Sequence, residues 1–215
     1  MDRGSATAVG GLLRRASAVV LLCALMEPTG AAEPTGSDEA RAALTQCREV
    51  ELAPDAEQAD LLDRGLTRAE LAVAADPDDP VAHLAVFCNL GKRIRHDGLS
   101  WHAFGQVRRL MREVDTALAL SPDFAGALAA KGGLLASLPR LLGGDAAEGE
   151  RLVRRAVRLA PDDIGARFTL VDVLEARGAH EDAQAEAEAA LALVEKAGPR
   201  PRVEQAQAVV ARLRR

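Results

Sequence analysis

The sequence predicts an all-α protein in which helical hairpins stack side by side into a solenoid. The composition favours helices, because 48% of the residues are hydrophobic but only 2% are aromatic, and aromatic residues favour sheets. A self-similar pattern along the chain then identifies the helices as repeated units. The formal net charge of −5 gives the whole protein no electrostatic attraction for nucleic acid.

Residues 1–32 have the residue order of a secretory signal peptide. Three arginines precede an apolar run at 16–26, and small residues follow at 30–32. The run is about eleven residues long, whereas a membrane span needs about twenty. We therefore expect cleavage near Ala32, a periplasmic or secreted mature protein and no membrane span in it. An ordinary N-terminal helix or a disordered tail is the alternative.

Of the three cysteines, Cys23 lies inside this leader. A lipoprotein signal needs a small residue just before the cysteine, and Leu22 is not small, so we do not expect lipid anchoring. Cys47 and Cys88 remain after cleavage. An oxidising compartment would permit a disulfide between them, but the sequence leaves open whether their geometry does.

The repeat is visible in segments that end alike. Each places an alanine five residues before a proline, and acidic residues follow the proline, as suits the start of a new helix. A fourth segment has the matching alanine but lacks the proline. The spacings between the four matching alanines are 45, 39 and 34 residues. The segments are Ala72–Pro77, Ala117–Pro122, Ala156–Pro161 and Ala190–Leu193.

This ending resembles the close of a tetratricopeptide repeat (TPR), a helix-turn-helix unit of 34 residues. In the last unit, Leu170, Gly178, Ala183 and Ala190 match the family's leucine, turn glycine and two packing alanines. The resemblance implies three to four TPR-like repeats over residues 56–198. It is specific for the fold and says little about the ligand.

The two ends of the solenoid are also predicted to be helical. Residues 33–55 are expected to lead into it, with 37–50 and 56–75 forming a divergent first pair of helices. Residues 199–215 are expected to form a capping helix that covers the last hydrophobic face. Its apolar residues recur at helical spacing: Val203, Ala206, Val210 and Leu213.

The two longer units carry about eleven and about five residues more than the TPR period. We place the additions between the two helices of a unit, at 92–104 and 137–145. Extended turns at these places resemble those of the T-component proteins associated with bacterial TRAP transporters. A looser resemblance is to the eukaryotic regulators of microtubule dynamics. The expected breaks are Gly91, Gly98, Pro139 and Gly143–Gly144.

The 92–104 insertion is the first candidate binding site. One hypothesis makes it a recognition loop in which Trp101 supplies contact area and basic residues anchor acidic groups. In the other, Trp101 and Phe104 pack against the solenoid and the charges stay solvated. Cys88, His96 and His102 match no compact zinc pattern, so no metal is expected. The candidate residues are Arg93, Arg95, Trp101 and His102.

The second candidate site is the groove that first helices line in TPR proteins. The resemblance maps its positions onto a partly apolar set that lacks the residues of carboxylate-clamping repeats. An extended peptide, an amphipathic helix or a small ligand would fit. The alternative is a groove that is solvated or closed by the N-terminal segment. The positions are Leu84, Cys88, Lys92, Ala129, Gly133, Phe168, Asp172 and Glu175.

Several other patterns have structural interpretations. His83 lies at a packing position and is expected in the core. Gly143–Gly144 lacks the Lys-Ser/Thr of a phosphate loop, so we expect Asp145 to cap the next helix. Arginines recur at helical spacing over 151–158, where a solvated outer face is favoured over a surface for an acidic partner.

These observations favour a protein–protein interaction scaffold over an enzyme. The sequence has no nucleophile-elbow motif, no metal-ligand pair and no candidate pair of buried carboxylates. No cofactor is therefore expected. The alternative is an accessory component of a TRAP-type solute transporter that binds a small molecule. The partner is expected to be a protein or peptide.

Overall fold

A computed structural model describes residues 33–97, 103–197 and 199–214. The predictions for the leader 1–32, Cys23, Gly98, Trp101 and His102 lie outside the described residues. The described residues form α-helices and two short 3₁₀ turns, without a strand, which confirms the all-α prediction. The helices are α1 (Asp38–Glu49), α2 (Asp55–Ala75), α3 (Pro80–Asp97), α4 (Ala103–Leu120), α5 (Ala125–Ser137), α6 (Ala146–Leu159), α7 (Ile164–Ala176), α8 (His180–Ala197) and α9 (Arg200–Leu213).

The helices pair as the repeat pattern predicts. Consecutive pairs α1–α2, α3–α4, α5–α6 and α7–α8 are hairpins, and α9 packs on α8. The first helices of neighbouring hairpins lie side by side, with α1 against α3 and α5 against α7, while contact between α3 and α5 is sparser. The solenoid with a C-terminal capping helix is confirmed. None of the described helices is both long and apolar enough to cross a bilayer.

Three similar turns link the hairpins. Each contains four residues, with proline in the second position of all three. In each, the backbone N–H of the fourth residue donates to the carbonyl oxygen of the first, which closes a β-turn. The bonds run from Asp79 to Asp76 (3.2 Å), from Phe124 to Ser121 (3.1 Å) and from Asp163 to Ala160 (3.0 Å).

The fourth turn residue also caps the following helix in two of the three cases. The carboxylate of Asp163 accepts from the backbone N–H of Ala166, and that of Asp79 accepts from Val81 and Ala82. The third turn has the buried Phe124 there, which cannot cap. Elsewhere, Asp145 caps α6 by accepting from two backbone N–H groups, which confirms that prediction.

Small residues let the two helices of a hairpin approach closely. Where α5 crosses α6, a Cβ on Gly132 would lie 2.6 Å from the carbonyl oxygen of Gly149. A crossing this close excludes larger side chains. His83 is buried as predicted, with Nδ1 2.8 Å from a Glu113 carboxylate oxygen and Nε2 2.9 Å from the carbonyl oxygen of Pro77.

The prediction that Gly91 breaks the chain is wrong. Helix α3 runs through Gly91 to Asp97, so the first part of the 92–104 insertion is helical. A glycine inside a helix costs only about 1 kcal/mol relative to alanine, and buried contacts easily offset that. Ile94 supplies them by packing with Leu90 and Leu110.

The second insertion breaks where predicted. Helix α5 ends at Ser137, a 3₁₀ turn follows at Arg140–Leu142, and α6 begins at Ala146. Gly143 has a φ of 87°, a left-handed conformation that residues with a side chain rarely adopt.

Candidate functional site on the concave face

We call the side of the solenoid formed by the first helices α1, α3, α5 and α7 the concave face. On α3, the predicted groove positions are covered by α1. Leu84 is 3% exposed. Cys88 forms a disulfide with Cys47 of α1, across a Cα–Cα distance of 6.1 Å. The N-terminal helix therefore occupies this part of the predicted groove, and the question that the sequence left open about the two cysteines is answered.

The third α3 position, Lys92, is paired. Its Nζ lies 2.8 Å from Oε1 of Glu51, in the short turn after α1, and its side chain is 16% exposed. Burial lowers the pKa of Lys92, against the opposing effect of Glu51. Burial alone would raise the pKa of Glu51, but the hydrogen bond and charge of Lys92 hold it below its ordinary value.

Of the four candidate residues in the insertion, the structure describes Arg93 and Arg95, and these two have different partners. Arg93 turns towards α2: it is 3.0 Å from Asp97, 3.4 Å from Asp63 and within hydrogen-bond distance of the Ala59 carbonyl. Arg95 is 72% exposed and reaches Glu51 only at 4.0 Å. Since both lie on helix α3 and not in a loop, their positions are fixed by the helix.

Helix α5 forms a closely packed floor. Ala129 is 5% exposed. A Cβ on Gly133 would lie 2.9 Å from Cγ2 of Thr169 on α7, and one on Gly126 would lie 3.1 Å from Leu84. These small residues allow the flanking helices to approach α5. Helix α5 therefore positions the neighbouring helices, and its residues Gly126, Ala129 and Gly133 add no charged or hydrogen-bonding side chain to the concave face.

Helix α7 carries the acidic side of the concave face. Phe168 is half-buried, and Glu175 accepts two hydrogen bonds from Arg212 of α9, at 2.9 and 2.8 Å. Asp172 has an exposed side chain and forms no hydrogen bond or ion pair with any residue described by the structure. Surrounding protein and the Glu175 charge raise its pKa, although Arg212 and Arg95 oppose the shift.

The two ends of the solenoid meet across the concave face. Nη2 of Arg202, on α9, donates to the backbone carbonyl oxygen of Arg48, at the end of α1, at 3.1 Å. Arg95 and Glu51 are consequently close enough to influence the ionisation of Asp172. Asp172 is thus both in contact with solvent and enclosed by protein, as expected for a residue inside a concavity.

A further carboxylate lies at the N-terminus of α5, the helix whose turn lacks a cap. Oε1 of Glu33 accepts from the backbone N–H of Ala125 at 3.2 Å, although the two residues are 92 positions apart. Burial raises the pKa of Glu33, while that hydrogen bond and the Arg48 charge lower it in part. Glu33 therefore does for α5 what Asp79 and Asp163 do for α3 and α7.

Sequence reasoning missed Glu33, Arg48, Glu51, Arg202 and Arg212. A signal existed for Glu33, because Phe124 stands where the matching turns have aspartate. No such signal existed for the other four. Arg48 and Arg202 meet only where the first and last helices meet, and Glu51 and Arg212 pair with residues of α3 and α7 that are distant in sequence.

Three of the four arginines of the predicted 151–158 stripe have partners on the solenoid, and Arg158 is exposed without an ion pair among the described residues. Arg151 pairs with Glu148 at 2.6 Å, Arg154 with Glu150 at 2.7 Å, and Arg155 with Asp123. Local ion pairs of this kind are typical of a solvated outer face.

Two surface cavities lie elsewhere. One, of about 490 Å³, is on α2, and the other, of about 430 Å³, lies between α4 and the Arg140–Leu142 turn. Neither is lined by Leu84 or Phe168. In the part of the chain that the structure describes, these two cavities therefore lie away from the groove positions, and the concave face carries charges of both signs. Lys92 and Glu175 have partners there, while Arg95 and Asp172 have no close ion pair.

No protein-family model and no curated protein matches the chain. Among solved structures, it is similar to a thermophilic TPR protein of Thermus thermophilus, with a TM-score of 0.55 and 15% identity over 81% of this chain and 98% of that one. It is also similar to MamA of Desulfovibrio magneticus RS-1, with a TM-score of 0.44 and 15% identity over 82% and 94%. The first likeness supports a TPR-type fold and no more than the fold.

Proposed function

We propose that this protein is an exported, non-catalytic interaction module that holds an extended segment of a partner protein on its concave face. The observation that carries the proposal is the pair Arg95 and Asp172. They lie on opposite sides of that face, α3 and α7, and each lacks a close ion-pair partner among the described residues. An exposed charge without a close counter-ion is available to form a charge-assisted hydrogen bond with an oppositely charged group of a partner.

The arrangement suits a polypeptide better than a small molecule. Neither of the two cavities described above lies on this face, and ligand pockets usually enclose most of the ligand. An extended segment can instead place an acidic side chain at Arg95 and a basic or amide group at Asp172. Between these two charges, the small residues Ala129 and Gly133 of α5 present no long side chain to the segment.

The 92–104 insertion contributes to this site through its helical part. Arg95 extends from the last turns of α3, and its neighbour Lys92 is held by Glu51. Trp101 and His102 remain candidates for contacts with the same partner. We expect the fixed helical position of Arg95 to make its contribution larger than that of Arg93, which is paired on the α2 side.

Export to an oxidising compartment is part of the proposal. The Cys47–Cys88 disulfide supports it, because such bonds persist outside the reducing cytosol. The compact unit also begins at Glu33, directly after the expected cleavage position. N-terminal sequencing of the protein recovered from its native host is expected to start at or within a few residues of Glu33. Recovery with an intact leader, in the cytoplasm, would contradict export.

The binding proposal is tested by charge reversal in the full chain. Arg95→Glu is compared with Arg151→Glu, which makes the same charge change on the outer surface, where Arg151 is 69% exposed. Each tagged variant is expressed in the native host, lightly crosslinked and purified. We expect Arg95→Glu to lose the protein that copurifies with wild type, and Arg151→Glu to keep it.

Thermal unfolding of the purified variants provides the control, because both arginines are largely exposed and neither change should lower Tm appreciably. Retention of the same partner by Arg95→Glu, or equal loss in both variants, would refute a binding site on the concave face.

A further inference from the structure

Two apolar patches lie outside the concave face, and each combines an exposed leucine with a cavity. The α2 patch consists of Leu71, 66% exposed, and the cavity of about 490 Å³ beside it. The turn patch consists of Leu141, 98% exposed, Leu142 and the cavity of about 430 Å³ that they form with Val107 and Arg108 of α4. Isolated exposed leucines are common, but an exposed leucine next to a cavity can both insert and receive a side chain.

The turn patch has a fixed shape. The backbone N–H groups of Leu142 and Gly144 both donate to the Pro139 carbonyl oxygen, at 2.8 and 3.1 Å. A Cβ on Gly144 would lie 1.8 Å from the carbonyl oxygen of Leu138, so the turn closes only with glycine there. Leu141 is therefore held outwards by an ordered turn.

The α2 patch is a shallow groove with mainly apolar walls. Its lining includes Leu71, Ala72 and Ala75 on the C-terminal half of α2, with Ser37 at the start of α1. Asp76 stands at one end of the groove. This is the outer side of the first hairpin, where a preceding repeat would pack in a longer solenoid.

The unpaired charges around the two patches are opposite in sign. Arg64 and Arg68 also line the α2 patch, but they pair with Asp60 at 2.7 Å and with Glu39 at 3.2 Å. Arg108 and Arg140 flank the turn patch, are exposed and form no ion pair with any described residue. At the end of the α2 patch, Asp76 and Asp78 are exposed and equally without an ion pair among the described residues. The C-terminus of α2 adds the negative end of its helix dipole. The unpaired charges of the two patches therefore complement each other.

The two patches are not joined to each other within the molecule, because Leu71 and Leu141 are both exposed. Helix α2 packs against α1 and α3, whereas the turn patch belongs to α4 and to the link between α5 and α6. We propose that a second copy of this chain is the partner, with the turn patch of one molecule seated in the α2 patch of the next. Leu141 would enter the groove beside Leu71, while Arg108 and Arg140 approach Asp76 and Asp78.

Two consequences follow from this geometry. The contact joins two different surfaces, so each molecule keeps one patch free and the association extends into open chains. The patches are small compared with the roughly 1,200–2,000 Å² of a stable interface, so the association is weak and depends on concentration. Opposite charges at its rim make it weaker at high salt.

Sedimentation of the purified protein at increasing concentration tests the proposal with two variants, Leu71→Asp and Leu141→Asp. Each removes one patch and leaves the other intact. Wild type is expected to form growing species, and each variant alone to stay monomeric at the same concentration. An equimolar mixture of the two is expected to form a dimer that grows no further, because it contains one intact pair of patches.

The matched control is Ala185→Asp, which adds the same charge to an exposed position on α8. It is expected to associate like wild type. A monomeric wild type, a mixture that does not restore the dimer, or equal loss in the control would each overturn the proposal. So would a wild type that stays monomeric but binds vesicles of phosphatidylglycerol through Leu141, since the patch would then serve a lipid surface.

Discussion

The two halves of the concave face use equivalent helix positions in opposite ways. In the α1–α3 half, Leu84 is buried, Cys88 is bonded to Cys47 and Lys92 is paired with Glu51. In the α7–α9 half, Asp172 remains in contact with solvent without a hydrogen-bond or ion-pair partner among the described residues. The first half has the features of a stabilising core, and the second has those of a surface kept for a ligand.

Residues at equivalent positions of different repeats therefore do not have the same role. Position-equivalent residues on α3 and α7 diverge because α1 covers α3, while α9 packs on α8 and reaches α7 through Arg212. We therefore expect substitutions of the buried or paired first-half residues, Leu84, Cys88 and Lys92, to change stability strongly, whereas the exposed Arg95 should affect binding. Substitutions in the second half should change stability little and binding strongly.

Removal of the disulfide should have the largest effect on stability. Replacing Cys47 and Cys88 together by alanine releases a crosslink between residues 41 positions apart, which is worth about 4 kcal/mol in the chain-entropy treatment. Urea unfolding measures the change. Reductant should destabilise wild type by a similar amount and leave the double variant unaffected. A double variant as stable as oxidised wild type would show that the disulfide does not stabilise the α1–α3 half.

The next largest effect is expected for Gly65→Ala. The new Cβ would lie 2.2 Å from Oδ1 of Asn89, a fully buried side chain that donates to the carbonyl oxygens of Ala43 and Ala85 at 3.2 and 2.9 Å. Displacing Asn89 loses both bonds, so we expect a loss of about 3 kcal/mol in the free energy of unfolding.

Gly105→Ala is the matched control, because a Cβ there meets nothing within 4 Å and alanine favours the helix by up to about 1 kcal/mol. Equal stability of Gly65→Ala and wild type would show that the α1–α2–α3 junction is looser than described.

A smaller effect, about 1–2 kcal/mol at neutral pH, is expected for Asp79→Asn. Burial opposes ionisation of Asp79, but hydrogen bonds from the backbone N–H groups of Ser37, Ala82 and Val81 lower its pKa below 3.8. The stabilisation is therefore complete above pH 3.8 and is lost as the pH falls through the folded-state pKa.

Unfolding as a function of pH should show the Asp79→Asn and wild-type curves converging in strong acid. Asp78→Asn, one residue earlier and exposed, should stay within about 0.5 kcal/mol of wild type throughout. A constant difference between the curves down to strong acid would contradict a role for the ionised carboxylate.

The smallest stability effect is expected for Asp172→Asn. It is a gain in stability, whereas the changes at Cys47, Cys88, Gly65 and Asp79 lower stability. Enclosure by protein raises the pKa of Asp172. Its ionisation therefore destabilises the folded state as the pH rises from 3.8 through the folded-state pKa. The variant should be slightly more stable at neutral pH, by less than about 0.5 kcal/mol because solvent screens the exposed group, and should lose partner binding. Loss of stability at neutral pH would show that Asp172 supports the fold.

Much of the fold could be predicted from the sequence because its signals are local. The recurring Ala-to-Pro endings correspond to the three four-residue turns, and Asp145 caps α6 through groups only two and three residues away. The end of α3 could not be predicted this way. Gly91 is a weak break, and the contact that overrides it, Ile94 against Leu110, depends on the packing of α4.

The candidate site was harder to predict because its chemistry comes from distant residues. Asp172 and Glu175 both lie on α7, as the resemblance implies. The resemblance gives no indication that Arg212 forms an ion pair with Glu175 and not with Asp172. Arg202 and Arg48 meet across 154 positions, and nothing in their local sequence signals it. Such contacts depend on how the hairpins curve, which periodicity does not encode.

The central claim, that the concave face holds a partner segment, is tested most directly by photo-crosslinking in the native host. An aromatic photoreactive residue replaces the half-buried Phe168 of α7 in the full-length tagged chain, which leaves Asp172 intact, and for comparison one is placed at position 151 on the outer surface. We expect a discrete covalent adduct with another protein from position 168 and none from position 151. No adduct at 168, or the same adducts at both positions, would contradict a binding site on the concave face.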